Sequence, residues 1–490
     1  MKRFIILLVS LLPVLFSCAE QQEHSVELRS EADLSGLRVV TLAGSSYSLD
    51  LSPRKDISLL LYNTSSDCLQ ALITDRADVL VNDEIVFNSV ICKENGIKIA
   101  LIGKEAFPTA FMFRKGEGEL ARACTEVQHR MEADGSMQRV KEYWLKDKYL
   151  QDTSFTHISY EADGRPLRVA AATSTAPIGF QSEGDWYGIE IDILRELGKH
   201  LGRPLDIKFY DASSCIMALS SGVADVACGC IFVTTEREQE FLFAEPYHDY
   251  HSAYFVVDKE AQKDNAGFLA WFKKSVRKNL IIEKRWKYIT DGLLETLLIS
   301  LLSILLGSLL GVGLYSMTRS RRKWLRSCAR VYSGFIGGIP QLVLLLILFY
   351  VVFAKSGLPS DLVAVIAFAM FFASGASEIY SSSLAAIPKG QTEAGLALGF
   401  TRWQTFFHIV MPQAVRRGLP LYKGQCISTL KGTSIVGYIA IQDITRAGDL
   451  IRSRTFDAVL PLLVVTVLYF LLVWFIGLLL NLAMPKKKVL

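Results

Sequence analysis

Between Thr296 and Ala483 the chain returns repeatedly to stretches of about 20 residues with almost no charge, and this limits its possible folds more than any other feature. Thr296 to Thr318, Val331 to Ala354 and Ala458 to Ala483 carry no charged residue. Leu362 to Pro388 carries only Glu378, and Leu419 to Ile441 carries Lys423 and Lys431. Each run is near the length a helix needs to cross a bilayer, so an all-α membrane domain of five spans is expected. Arg319, Arg321, Arg322, Lys323, Arg326 and Arg330 follow the first run, and Lys486, Lys487 and Lys488 follow the last. Cations favour the cytoplasmic side, which gives a chain entering from outside and ending inside.

At 490 residues there is room for about three domains. The net charge of +4 is too small to point to nucleic acid, and the basic residues cluster beside apolar runs. Lys2 and Arg3 precede the apolar run Phe4 to Phe16, which is short for a span and reads as an export signal. An uncleaved anchor is the alternative. Leu15-Phe16-Ser17-Cys18 resembles a lipobox, which would make Cys18 the lipidated residue after cleavage at 1–18. The segment after Cys18 then lies outside the cytoplasm, where Cys68, Cys92, Cys124, Cys215, Cys228 and Cys230 could oxidise in pairings that remain open. The nine Cys form no CxxC, and His248 and His251 have no further ligand nearby, so a metal site is not expected.

Asp33 to Tyr149 alternates short apolar runs with helical patterns, an α/β texture. In Asp258 to Lys287, Phe268, Leu269, Trp271, Phe272, Val276 and Leu280 recur at helical spacing among Lys273, Lys274, Arg277 and Lys278. This predicts an amphipathic helix on a membrane surface, with a solvated linker as the alternative. Glu393 to Pro412 does not read as a span. Thr392-Glu393-Ala394 looks like a helix start, Gly399 like a break and Pro412 like an end. Its face of Leu396, Leu398, Phe400, Trp403, Phe406 and Phe407 either is gripped by a partner or packs only on its own helices.

Glu393-Ala394-Gly395, then Gly399, Ile409 and Met411-Pro412, resembles the EAA loop of ABC importer permeases. Gly395 stands for the second Ala and Met411 for a Leu. Ile387-Pro388-Lys389-Gly390-Gln391 and Leu430-Lys431-Gly432-Thr433-Ser434 resemble the polar amino-acid branch, of the histidine and glutamine permease type, over 291–485. The resemblance implies that Glu393, Ala394, Gly399, Ile409 and Pro412 couple to an ATPase subunit. The chain has no GxxxxGK[ST] loop, so ATP and Mg belong on that partner and no cofactor is expected here. A second permease copy, most simply a homodimer, is also implied.

Two further stretches are similar to amino-acid-type periplasmic binding proteins. Asp33-Leu34-Ser35-Gly36-Leu37-Arg38-Val39, Gly44-Ser45-Ser46-Tyr47 and Ala77-Asp78-Val79 with Asn82-Asp83-Glu84 resemble lobe two, over 33–149. Leu167-Arg168-Val169-Ala170, Gly188-Ile189-Glu190-Ile191-Asp192, Thr235-Glu236-Arg237 and Ala244-Glu245-Pro246-Tyr247 resemble lobe one, over 166–257. The lobes stand in reversed order, joined by 150–165. This implies a circularly permuted two-lobe α/β domain, with two half-domains as the alternative. A connector, 258–288, leads to the permease.

The resemblance places Arg237 and Asp83 on opposite lobes. The guanidinium suits an α-carboxylate and the carboxylate an α-ammonium, with Ser45, Ser46 and Thr235 beside them. Glu378, ionisable within a span, and Lys431 are candidates for the translocation path; a hydrogen-bonded structural role for Glu378 is the alternative. The expected protein is a multi-pass subunit of a bacterial inner membrane. It captures a polar amino acid or similar solute outside and moves it across, driven by a separate ATPase and not itself an enzyme. The alternative is a ligand-gated channel or sensor on the same two-lobe fold, disfavoured by the EAA-like loop and by the lack of a re-entrant segment.

Overall fold

Strands form where β-branched and aliphatic residues can be covered on both faces, and the first part of the chain supplies such runs twice. The computed structural model describes residues 26–87, 89–146, 149, 160–172, 176–182, 184–258 and 268–482. They divide into one unit of Met1–Ala106 with Tyr250–Asn265, and a second of Phe107–Asp249 with Ala266–Leu490. The proposed signal and Cys18 lie outside the described residues, as do Lys486, Lys487 and Lys488.

The first unit is built on strands β1 (Arg38–Leu42), β2 (Ser58–Tyr62), β3 (Val79–Asp83) and β4 (Ile97–Thr109). Val39, Val40, Val79 and Leu80 have no exposed surface, as parallel strands covered by helices require. The second unit holds β5 (Met112–Arg114), β6 (Leu167–Ala171), β9 (Leu205–Phe209), β10 (Val226–Cys228) and β11 (Phe241–Phe243), with a hairpin of β7 (Phe180–Ser182) and β8 (Asp185–Tyr187). The last strand, β12 (His248–Val257), pairs antiparallel with β3, Ser252 opposite Asp83.

The sheet orders are β2-β1-β3-β12-β4 and β9-β6-β10-β5-β11. They follow one plan. In each, three strands of one segment run parallel, and a strand from the other segment enters antiparallel beside the third. The plan repeats at side-chain level. The Arg38 guanidinium and backbone N–H both reach Asp78, at 2.6 and 2.8 Å. Arg168 holds Asp225 the same way, at 2.5 and 3.1 Å.

From Phe268 the second unit is helical. Trp286–Thr318 and Ser360–Ala385 run parallel, closed by small residues. A Cβ on Gly307 would stand 2.6 Å from Phe372 Cβ, and one on Gly311 2.8 Å from Ala376 Cβ. Such a Ser303-Gly307-Gly311 seam lets backbones approach without a hydrophobic drive. Met411–Gly432 packs antiparallel to Ser360–Ala385, with Gly418 against Ser383 and Gly375 against Gln425.

The count of straight apolar spans differs from expectation. Among the described residues three helices, Trp286–Thr318, Ser360–Ala385 and Val459–Leu480, are long and apolar enough to cross a membrane, and a bent pair makes up to four. The stretch Val331 to Ala354 is that pair: Lys323–Gly338 and Gln341–Val352 meet at 107°, because Pro340 cannot continue the first helix. Leu419 to Ile441 is not one span. Its first part ends the Met411–Gly432 helix, which also carries Arg416 and Arg417, and its last part is a 3-10 turn, Thr433–Ile439.

Candidate ligand, path and coupling sites

Asp83 closes β3 and is buried, and the Tyr47 hydroxyl donates to its Oδ1. Tyr47 carries no charge and stands far from Asp83 in the chain, so sequence reasoning did not pick it out. Ser45 is committed locally. Its Oγ donates to the Leu42 carbonyl at 2.7 Å and accepts the Ser48 N–H at 3.2 Å, capping the helix Ser46–Leu51. Ser46 Oγ is buried and has no hydrogen-bond partner among the described residues.

Arg237 belongs to the second unit, in the helix Thr235–Glu240. Its Nη1 donates to the Phe232 carbonyl at 3.0 Å. The capping hydroxyl there is that of Thr234, which accepts the Arg237 N–H at 3.3 Å. Thr235 is exposed at the first helical position.

The turn before Phe232 is held from inside by Glu190. This buried carboxylate accepts the Gly229 N–H at 2.7 Å, the Cys230 N–H at 2.9 Å and the Tyr247 hydroxyl at 2.8 Å. Gly229 and Cys230 both have positive φ, 115° and 59°, so the turn depends on that anchor. Burial pushes Glu190 up to about 7 against these three donors.

Glu378 and Lys431 are both exposed, on the antiparallel neighbours Ser360–Ala385 and Met411–Gly432. Glu378 is exposed although the turn before it, Ser374 to Ser377, is buried or half-buried, and the exposure continues at Ser381 and Ser382. The contacts of Gly375 with Gln425 and of Gly432 with Phe368 fix the register. They put the two residues at different levels, roughly nine residues or 14 Å apart along the axis.

The stretch Glu393 to Pro412 is a helical hairpin. Its first arm is Lys389–Ala397, starting after Pro388 and not at Thr392, so Glu393 lies beyond the first turn. Gly399, at φ 85°, ends the arm. The Phe400 N–H reaches the Gly395 carbonyl and the Gly399 N–H the Leu396 carbonyl, a Schellman closure. Thr401 and Gln404 then form a capping box opening the second arm, Arg402–Thr405. Pro412 does not end the segment. It sits in the first turn of Met411–Gly432, where its missing N–H is tolerated.

Glu393 and Ala394 are exposed and Ile409 half-buried. Trp403 and Phe407 stack at 5.7 Å, and Trp403 and Leu398 are 72% and 77% exposed. These side chains leave an exposed apolar face on the hairpin, a candidate interaction surface.

The second unit also carries lobe-one contacts that sequence reasoning missed. Lys208 Nζ meets Ser360 Oγ at 3.4 Å, at the start of Ser360–Ala385. The hairpin follows the other end of that 26-residue helix. Lobe one and the hairpin therefore stand at opposite ends of a rod roughly 39 Å long.

Residues 303–488 match the family described as binding-protein-dependent transport system inner membrane component. Residues 167–292 match bacterial extracellular solute-binding proteins, family 3. The L-cystine transport system permease protein TcyB of Bacillus subtilis (strain 168) is 33% identical over 186 residues, covering 37% of this chain and 78% of that protein. The glutamate/aspartate import permease protein GltK of Escherichia coli O157:H7 is 33% identical over 195 residues, covering 38% and 87%. A crystal structure of an amino acid ABC transporter with histidines aligns at 28% identity and a TM-score of 0.39, over 45% of this chain and 98% of that one.

Proposed function

We propose a function from one premise: this chain belongs to the binding-protein-dependent transport system inner membrane components, among the amino-acid permeases. It joins a solute-binding domain and an ABC permease in one integral membrane protein, a transporter of polar amino acids. The observation that carries the mechanism is the placement of lobe one and the aromatic hairpin at opposite ends of Ser360–Ala385.

In the proposed cycle the binding domain is extracytoplasmic, as the cation clusters support. Residues 33–149 form lobe two of a permuted binding domain, a reading supported by the shared sheet plan and the strand exchanged each way. Arg237 takes the α-carboxylate and Asp83 the α-ammonium, with the backbone N–H groups of Ser46 and Thr235 turned to the anion, while the Ser45 N–H is held by the Leu42 carbonyl at 3.3 Å. An ATPase subunit, holding ATP and Mg, grips Glu393, Ala394, Gly399, Ile409 and Pro412. A second copy completes the path, which Glu378 and Lys431 line at two levels. Leu269 and Phe272, 74% and 42% exposed, rest on lipid, and Cys18 is lipidated.

The test is binding to the full purified chain, followed by thermal shift across the common amino acids. At least one is expected to raise the midpoint. Arg237→Ala is expected to weaken that ligand tenfold or more, about 1.4 kcal/mol. Shifts with other small anions and with no amino acid would contradict the substrate class.

The bend at Pro340 favours a second reading, a ligand-gated pore, since a broken apolar pair is also the form of a re-entrant segment. It removes one argument from sequence against that reading and leaves the hairpin as the other. Ligand-evoked ion current without ATP would favour the pore.

A further inference from the structure

The helix Ile444–Thr455 follows the 3-10 turn Thr433–Ile439 and carries two arginines that reach into lobe one. Arg446 lies over the Phe209 ring, 4.1 Å from its centroid, and its Nη2 donates to the Phe209 carbonyl at 3.0 Å. Arg454 lies 4.0 Å over the Phe180 ring. The two are eight residues apart, roughly 12 Å, so they grip lobe one at two separate points. A guanidinium on an aromatic face is attracted by the ring quadrupole, most strongly where water is excluded.

Each clamp is itself braced. Asp443 caps the helix by accepting the Arg446 N–H at 2.9 Å, and the Tyr469 hydroxyl donates to the same carboxylate at 3.1 Å. Arg454 pairs with Glu283 at 2.9 Å, and Glu283 pairs with Arg285 at 2.9 Å. The connector from Phe268 onward is tied to the permease rather than slack. Asn279 Nδ2 donates to Asp457 at 2.6 Å, and Thr455 Oγ1 donates to Asn279 Oδ1 at 2.7 Å.

Between and around the clamps the contact is apolar. Tyr210, Cys215 and Leu219 of lobe one belong to the same buried cluster as Phe349, Phe368 and Ile439 of the permease. Separation would bring these side chains into water and leave Arg446 without its ring. Contacts that dissociate in each cycle are smaller and more polar; one that shares a core behaves as a permanent interface.

We propose that lobe one never leaves the permease: it is seated on Ile444–Thr455 by the Arg446–Phe209 and Arg454–Phe180 clamps throughout the transport cycle. A soluble binding protein therefore has no access to this face. The inference rests on the import reading only for the states it compares.

The test places spin labels at Lys199→Cys on lobe one and Lys355→Cys on the permease, with Cys92, Cys230 and Cys328 replaced by Ser. The full chain, diluted with excess unlabelled copies so that only distances within one chain are read, is reconstituted with its ATPase in vesicles. Distances are read with no solute, with a mixture of the common amino acids, and after trapping with ATP and vanadate. A single distance, unchanged across the three states, is expected. A second, longer population in any of them overturns the permanent seat. Arg446→Ala with Arg454→Ala is expected to create that longer population without solute; an unchanged single distance would remove the arginines from the assignment. Arg454→Ala alone, which keeps one clamp, is expected to give a smaller long-distance population, and none would remove Arg454. Uptake is read on the same vesicles. A single distance without uptake contradicts the import reading and leaves the seat standing, whereas uptake with two distances contradicts the seat.

Discussion

Gly395 and Thr405 meet across the helical hairpin so closely that a Cβ on Gly395 would stand 2.6 Å from Thr405 Cγ2 and 3.0 Å from its Oγ1. Thr405 is fully buried, and its hydroxyl has no hydrogen-bond partner among the described residues. The departure from Glu-Ala-Ala at Gly395 thus has a physical partner ten residues on. Gly395→Ala is expected to destabilise the hairpin by roughly 1–3 kcal/mol through overpacking. Thr405→Ala makes room, so the double variant is expected to regain most of that loss. Thermal unfolding of the purified chain checks both, and equal midpoints for the single variant and wild type would contradict the contact.

Gly399 is constrained differently. Nothing lies within 4 Å of the Cβ position there, but φ is 85°. The cost of replacement is backbone strain, about 1–2 kcal/mol for most residues. Gly399→Val is expected to uncouple transport while solute binding stays intact, whereas Gly399→Asn, which tolerates left-handed backbone, is expected to keep uptake. Uptake and binding measured on both variants decide this. Uptake that survives Gly399→Val would refute the role assigned to the turn.

Glu190 gives a pH signature outside the membrane. Its pKa is raised from 4.5 to about 7, so the folded state favours the neutral carboxyl. The associated stability is fully present below about pH 4.5 and is lost as pH rises through about 7. The size is on the order of 3 kcal/mol. Glu190→Gln fixes the neutral form and is expected to flatten the pH profile in that window. Thermal midpoints of the full chain against pH, with identical slopes for both proteins, would contradict the assignment.

These residues also show what could be read in advance. The helical domain was legible because a bilayer excludes charge and the chain lacks it for long runs. The α/β domain was legible because parallel strands need unbroken apolar segments. The hairpin was legible as a unit, but its boundaries shifted. Pro388 rather than Thr392 precedes the first arm, and Pro412 is absorbed into a first turn that does not need its N–H. Pro340 lies within an apolar run, and apolarity carries no signal for the break that its missing N–H causes. Thr235, expected beside the ligand, stands at the first helical position, and its neighbour Thr234 caps the Arg237 helix. The arginine clamps were out of reach because Phe209 and Arg446 are 237 positions apart and neither belongs to a recognisable motif.

In the proposed cycle one chain couples solute capture at one end of the bundle to an ATPase at the other. The most direct measurement is ATP hydrolysis by the reconstituted complex, with and without the amino acids that shift the chain's thermal midpoint. The rate is expected to rise severalfold with solute and to lose that rise in Gly399→Val. A rate indifferent to solute, accompanied by solute-evoked ion current in the absence of ATP, would contradict it.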